Sequence, residues 1–418
     1  MKYVLIIGDG MADYPVEALN GKTPLQVAHK PNMDGLALRG RSGILRTIPE
    51  DMGAGSDIAN LSILGYDPKK WYTGRGPLEA ATRGIHLGKE DIAFRCNLIT
   101  EENGVLADYS ADHITSDEAR ELMKCMEDNF GKPKEIDFHA GVSYRNLLIF
   151  RNGPYSDKVL CTPPHDALGV KISETLPKAK TAAAEFTVAT LKKMILGSKR
   201  ILEDHPVNAK RVALGKRPGN MIWPWGQGKK PSMPTLQERY GISGVVISAV
   251  DVVNGVGIYV GMEVVKVPGA TGYYDTNYEG KADYALEALK RRDMVLIHVE
   301  APDEAGHSGD PEQKIRTIED LDRRLLGRLL DGLEGDYTIA VLPDHATPIR
   351  VRTHTKDPVP FTICSPLVEP DGVKCFDEVS ARKGGFGFLE RGEKFMSLFV
   401  AAKSSMSMRT LNVTDAEK

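Results

Sequence analysis

MVLIHVEAPDEAGH, residues 294–307, opens with an unbroken apolar run and closes on three acids and a histidine. The run 294–300 has the length of a buried strand, and the polar stretch that follows begins where such a strand would end. Working outward, helical spacing of apolar residues over 281–292 precedes this strand. A second helical stretch over 312–333 follows it, and a further apolar run occupies 337–342. Runs at 244–249 and 262–267, and at 2–8 and 43–48 near the N-terminus, complete the pattern. Strand and helix alternating in this way predict an α/β fold built on a doubly wound, mainly parallel sheet.

The middle of the chain has a different texture. Residues 91–100, 142–151 and 158–162 read as half-buried strands of a smaller α/β unit, and 179–204 as a long helix. The Trp-, Gly- and Pro-rich stretch 221–231 reads as a hinge. The expected organisation is a core made of residues 1–80 and 231–418, interrupted by an inserted substrate-binding domain over 81–230. At 418 residues the chain is long enough for two cores.

Composition excludes several classes of function. A formal charge of −3, with 27% charged residues of mixed sign, gives no electrostatic footprint for nucleic acid. No run of about eighteen apolar residues offers a membrane span. The apolar start at Tyr3–Ile7 is too short for a signal peptide core. Five cysteines (Cys96, Cys125, Cys161, Cys364, Cys375) lack CxxC spacing and fit buried thiols of a cytoplasmic protein. The composition leaves room for a homo-oligomer.

Four segments carry chemistry, and each ends or follows a strand, the place where doubly wound sheets bind ligands. Asp9, between Gly8 and Gly10, ends the first; a plain turn is the competing reading. Ser56, in GAGSDIAN (53–60), stands where a helix begins, a position that favours a phosphate or a developing alkoxide. Capping of that helix by Ser56 or Asp57 is the alternative. Asp303 and His307 lie four apart beyond the 294–300 run, either converging on a cation or forming an exposed acidic turn. Asp344 and His345 end the run at 337–342, with His354 nine residues on. Three carboxylates, three imidazoles and one hydroxyl suffice for two divalent ions that share the work of phosphoryl transfer. Mixed nitrogen and oxygen donors suit Mn²⁺ or Zn²⁺, and Mg²⁺ less well.

The order Asp, Ser, Asp-x-x-x-His, Asp-His, His is similar to that of the alkaline phosphatase superfamily. GSDIANLSILGYDP, GRGPLEA, FRCNL, GATGYYDTNY and EAPDEAGHSGD resemble, nearly end to end, the cofactor-independent phosphoglycerate mutases of archaeal type. The resemblance implies that Asp303, His307 and His354 hold one metal, and Asp9, Ser56, Asp344 and His345 the other. It further implies that Ser56 takes the phosphoryl group from 3-phosphoglycerate and returns it to the 2-hydroxyl, without 2,3-bisphosphoglycerate. Transfer to homoserine by the same serine is the alternative. A small phosphorylated substrate calls for Arg forks and polar partners, and Arg75, Arg95, Asn97, Arg145, His165 and Asp166 are the candidates, with His165 or Asp166 suited to move protons. Relatives often carry a Lys after the strand matching 244–249; here that stretch, SAVDVVNGVG, has none.

Overall fold

The computed structural model describes residues 1–401. Its strands, in chain order, are β1 (Lys2–Gly8), β2 (Arg41–Leu45), β3 (Ile92–Glu102), β4 (Val105–Asp108), β5 (Ile136–Val142), β6 (Arg145–Phe150), β7 (Val159–Leu160), β8 (Lys178–Ala179), β9 (Met221–Lys229), β10 (Gly244–Ile247), β11 (Glu263–Val264), β12 (Met294–Val299), β13 (Tyr337–Leu342), β14 (Val359–Cys364) and β15 (Gly387–Leu389). Contacts divide the chain into two compact units, one of Met1–Tyr72 with residues from 233 onward, the other of Thr73–Ser232. Among the described residues no helix is long and apolar enough to cross a membrane.

The first unit is built on an eight-stranded sheet in the order β11-β10-β12-β1-β13-β14-β2-β15. Neighbouring strands run parallel except around β14, which is antiparallel to both β13 and β2. The central strands are apolar along their whole length because helices cover both faces of the sheet. Val4, Ile6, Val295, Ile297, Ile339 and Val341 share a buried cluster with Ala282 and Ala285 of the helix Tyr278–Arg291 and with Leu321 and Leu325. β1 lies between β12 and β13, with Gly8 opposite Val299 and Ile7 opposite Leu342, so the three strands end level. This register sets Asp9, Glu300 and the residues just beyond Leu342 along one rim.

In this unit two of the expected elements change form. The strand expected over 262–267 is only Glu263–Val264. The helix expected over 312–333 runs from Pro311 to Gly332, with a wider π-type stretch at Leu321–Gly327. Within that stretch the buried Asp322 accepts from the backbone N–H of Asn32 and Met33, at 3.2 and 2.7 Å, fixing the start of the helix Pro31–Arg39. A fully buried ion pair ties the rim together. Lys314 Nζ is 2.8 Å from Asp13 Oδ2 and donates to the carbonyls of Ala12 and Thr347, at 3.2 and 2.9 Å.

The second unit holds a five-stranded antiparallel sheet, β4-β3-β6-β5 with β9 also paired to β3. The helices Ser116–Phe130 and Glu185–Leu202 bury Leu122, Met126, Leu191 and Met194 against Phe94, Cys96, Leu148 and Phe150. The helix Arg75–Thr82 belongs here, because Ala80 packs with Ala93, Leu147 and Ile149. That packing moves the edge of the unit to Thr73. The 221–231 stretch is not a hinge but β9, paired along β3 from Ile222–Leu98 to Lys229–Ile92. Its Gly226 (φ +59°) is absorbed by a bulge where the register shifts between Ala93 and Arg95, while Trp223 and Trp225 are buried. Glycine and proline read as breakers in the sequence, but here they shape one strand.

Candidate active site

Asp9 follows β1 and is buried, with each carboxylate oxygen facing an imidazole. Oδ1 lies 3.3 Å from His345 Nε2, and Oδ2 lies 3.1 Å from His298 Nε2. Asp344, two residues beyond β13, accepts through Oδ1 from the N–H groups of Gly10 (3.2 Å) and His345 (2.9 Å). Its Oδ2 accepts from Asn60 Nδ2 at 3.0 Å, and the same Asn60 amide donates to the Ser56 carbonyl at 2.8 Å. One turn of the helix Ser56–Ile63 therefore couples Ser56 to Asp344.

Ser56 is the first residue of that helix, and Gly55 occupies the cap. The Ser56 hydroxyl does not cap; its Oγ is 3.1 Å from His345 Nε2. Asp57 is the residue that serves the helix start, accepting through Oδ1 from the Ile58 N–H at 3.1 Å, while its Oδ2 accepts from Tyr72 Oη at 2.6 Å.

Asp303 is 4% exposed, which rules out a solvated acidic turn. It sits in the helix Ala301–Ser308 one turn before His307, whose Nε2 is 3.1 Å from Asp303 Oδ2. Oδ1 accepts from the Thr347 hydroxyl and lies 3.5 Å from His354 Nε2. The His345 and His354 rings stack at 4.0 Å. Asp9, Ser56, Asp303, His307, Asp344, His345 and His354 are thus gathered at one rim of the sheet. Among the described residues, ligand-capable atoms fall into two groups, Asp303–His345–His354 and Asp9–His298–Asp344, each with its atoms within 4.8 Å of one another.

The electrostatics are those of a centre short of positive charge. Burial, then the charges of Asp344, Asp303 and Glu300, hold the Asp9 carboxyl well above its ordinary range. Burial also opposes ionisation of Asp303, but hydrogen bonds from His307 and His354 bring it well below the usual value. Asp344 is lowered as well: its burial is outweighed by His345 and His298. Burial lowers His345, and pushes His298 down to about 4. Burial acts against His307 too, yet Asp303 raises it to about 9. Asp9 Oδ1 and His298 Nε2 have no hydrogen-bond partner although both are buried. Unsatisfied acceptors around buried carboxylates fit divalent cations, which supply the missing charge.

Sequence reading misses four residues here. His298 is the fifth residue of an apolar strand, where a core histidine is the ordinary expectation. Asn60 and Thr347 carry no motif of their own. Lys281 is the fourth: fully buried, its Nζ donates to the His298 carbonyl at 2.9 Å, and burial lowers it to about 8. An ammonium thus reaches this rim from the helix Tyr278–Arg291, although the segment after β10 has no lysine.

In the second unit, Arg75, Arg95, Asn97, Arg145 and His165 are brought together around Trp225 and two tyrosines. The guanidinium carbons of Arg75 and Arg95 lie 5.7 and 5.1 Å from the centre of the Trp225 ring. Trp225 Nε1 donates to Asn97 Oδ1 (3.0 Å), which also accepts from Arg95 Nε (3.2 Å). His165 meets the Trp225 and Tyr109 rings edge-on, and Arg145 lies over Tyr144. Arg95 pairs with the buried Glu79 at 2.8 Å. Burial lowers the Arg95 guanidinium; Glu79 opposes this and the charges of Arg75 and Arg145 add to it. Asp166 stands at the exposed side, 3.7 Å from His165.

A buried serine hydroxyl at a helix start, buried carboxylates and converging imidazoles, all at parallel strand ends, are an arrangement suited to metal-assisted phosphoryl transfer. Comparison with known proteins narrows the class. A family model described as 2,3-bisphosphoglycerate-independent phosphoglycerate mutase matches residues 37–208. The enzyme of that name from Methanothrix thermoacetophila is 51% identical over 404 residues, 96% of this chain and all of the relative. A solved structure of a Pyrococcus horikoshii protein superposes with a TM-score of 0.82 at 33% identity, covering 96% of this chain and 97% of that one. The cofactor-independent phosphoglycerate mutase of Thermoplasma acidophilum gives 0.66 at 28% identity, covering 97% and 100%. The chain belongs to the 2,3-bisphosphoglycerate-independent phosphoglycerate mutase family.

Proposed function

We propose that the protein interconverts 3-phosphoglycerate and 2-phosphoglycerate through a phosphoserine at Ser56, with two divalent ions and without 2,3-bisphosphoglycerate. The observation that carries this reading is the placement of Ser56, its Oγ free of any capping role and 3.1 Å from His345 Nε2 beside Asp9 and Asp344. Asp303, His307 and His354 would hold one ion, and Asp9, Ser56, Asp344 and His345 the other. When bound, these ions supply positive charge that lowers the pKa of the Ser56 hydroxyl and neutralises the phosphoryl oxygens. Mn²⁺ or Zn²⁺ suits these donors better than Mg²⁺.

The residues account for the remaining steps. Ser56 Oγ, having given up its proton, forms a bond to phosphorus as the bond from phosphorus to the 3-oxygen breaks, and that oxygen takes up a proton. The 2-hydroxyl then loses its proton and attacks the phosphoserine, releasing 2-phosphoglycerate and restoring the Ser56 hydroxyl. N–H groups in the first turn of the Ser56 helix favour the anion. Arg75, Arg95 and Arg145 form a cationic cluster suited to the anionic substrate, with Asn97 holding Arg95 in place. His165, flanked by Asp166, suits proton movement on the glycerate hydroxyls.

The relatives' names favour the mutase, and no feature of the site favours homoserine as acceptor. The test is incubation with Mn²⁺ and 3-phosphoglycerate, following 2-phosphoglycerate through coupled enolase. Turnover without 2,3-bisphosphoglycerate that stops on chelation is expected. Silence from protein loaded with metal would sink the reading.

A further inference from the structure

His298 falls in the Asp9–His298–Asp344 group but in neither of the residue sets assigned to the two ions, and its side chain is tightly held. It is fully buried on β12, next to Asp9 because Ile7 is its register partner across β1. Its Nδ1 lies 3.3 Å from Ser248 Oγ, which fixes the ring from behind. Its carbonyl takes the Lys281 ammonium, which fixes the backbone. The remaining ring atom, Nε2, points at Asp9 Oδ2 from 3.1 Å but lacks the alignment of a hydrogen bond and has no other partner. Ligand atoms of Asp9, His298 and Asp344 come within 4.8 Å of one another. An imidazole held at its far nitrogen, with the near nitrogen unused beside two carboxylates, has the arrangement of a metal ligand oriented from behind.

We propose that His298 is a direct ligand, through Nε2, of the ion that Asp9 and Asp344 hold. The proposal rests on the two-ion reading of this centre and extends it. With His298 added, the inner ion has imidazole nitrogen on both sides of Asp9, since His345 faces Oδ1 and His298 faces Oδ2. A second nitrogen biases that position toward Zn²⁺ or Mn²⁺ and against Mg²⁺, which demands oxygen donors and keeps its waters. The competing role is a positioning one, in which His298 only donates a hydrogen bond to Asp9 and never touches the ion.

Crystals of the wild-type protein grown with Zn²⁺, with data collected at the zinc edge, separate these roles without any substitution. The expected result is an anomalous peak about 2.0–2.1 Å from His298 Nε2. A peak near Asp9 and Asp344 that leaves Nε2 beyond about 3 Å overturns the proposal. In parallel, metal content is measured on purified wild-type protein and on His298→Gln after dialysis against Mn²⁺. Wild type is expected to hold two ions per chain, and the variant to bind the inner one more than about 100-fold more weakly, beyond the usual loss for a residue acting through a ligand. Two ions held with unchanged affinity by the variant would overturn the His298 role alone. A wild-type chain that binds no divalent ion would overturn the two-ion reading and this inference with it.

Discussion

His307 and His354 meet nitrogen to nitrogen, with Nε2 of one ring 3.0 Å from Nε2 of the other. His307 Nδ1 faces the Arg352 carbonyl at 3.0 Å, so that nitrogen carries a hydrogen, and Nε2 presents a lone pair once the ring is neutral. The neighbour on the same side is the Asp303 carboxylate. Acceptors turned toward one another in this way need a cation between them. A proton can serve in the metal-free protein, and a divalent ion serves better because it is shared by all three groups.

That proton gives the metal-free protein a pH signature. His307 is raised to about 9 against an ordinary value near 6.5, so its stabilising contribution is complete below about 6.5 and is lost as pH rises through about 9. His298 is depressed to about 4, so its unfolded form binds the proton first and stability falls as pH drops from about 6.5 toward 4. Thermal melts of chelator-treated protein should therefore peak near pH 6.5 and decline on both sides. Saturating Mn²⁺ should flatten the alkaline decline, since the ion replaces the proton. An alkaline limb that Mn²⁺ leaves untouched would contradict the assignment of His307.

Replacing Ser56→Ala removes the proposed nucleophile but little of the packing. Turnover should fall below about 1% of wild type, since loss of a covalent nucleophile costs several orders of magnitude. Circular dichroism and content of the Asp303 ion should stay close to wild type. Activity above that level would mean that the phosphoryl group travels by another route.

Lys314→Met breaks the buried pair with Asp13 and leaves an uncompensated carboxylate, at a cost of about 3–5 kcal/mol. Because Lys314 also bridges Ala12 and Thr347, the loops bearing Asp9 and Asp344 should loosen together. Denaturant melts of this variant should show the full loss. The double change Lys314→Met with Asp13→Asn, which removes the charge but keeps an oxygen to accept from the Tyr14 and Ile349 N–H groups, should recover much of it, and equal losses in the single and double variants would refute the pairing argument.

Trp225→Leu keeps an apolar residue in β9 but removes the ring beneath Arg75 and Arg95. Two cation–π contacts of about 0.5–1 kcal/mol each predict a KM rise of roughly tenfold, with kcat less affected. Steady-state kinetics check this split. A variant that loses kcat while keeping KM would place Trp225 outside substrate recognition.

Legibility in the sequence followed burial. β1 and β13 fall on the expected 2–8 and 337–342 because a strand covered on both faces is apolar throughout and stops at a polar residue. β15 goes unread, since Gly387–Leu389 is three residues long at the sheet edge and largely exposed. β14 goes unread as well, its run carrying a proline and its direction opposed to its neighbours. Asp9, Asp303 and Asp344 were legible because an acid just past an apolar strand stands out. His298 was not, for a single histidine inside such a strand looks like packing. The 221–231 stretch misled for the opposite reason: its prolines and glycines outweighed the buried tryptophans that belong to the strand Met221–Lys229.

β1 finds both of its neighbours very late in the chain. Tyr3 pairs with Met294, and Lys2 with Tyr337, across most of the polypeptide. During synthesis β1, apolar on both faces, emerges long before either partner exists, while Thr73–Ser232 can complete its own core first. Such distant pairings are slow to close and leave a sticky strand waiting. The nascent chain thus carries an aggregation hazard in β1 until β12 and β13 follow, and the candidate centre, drawn from residues as distant as Asp9 and His354, can assemble only after both have been made.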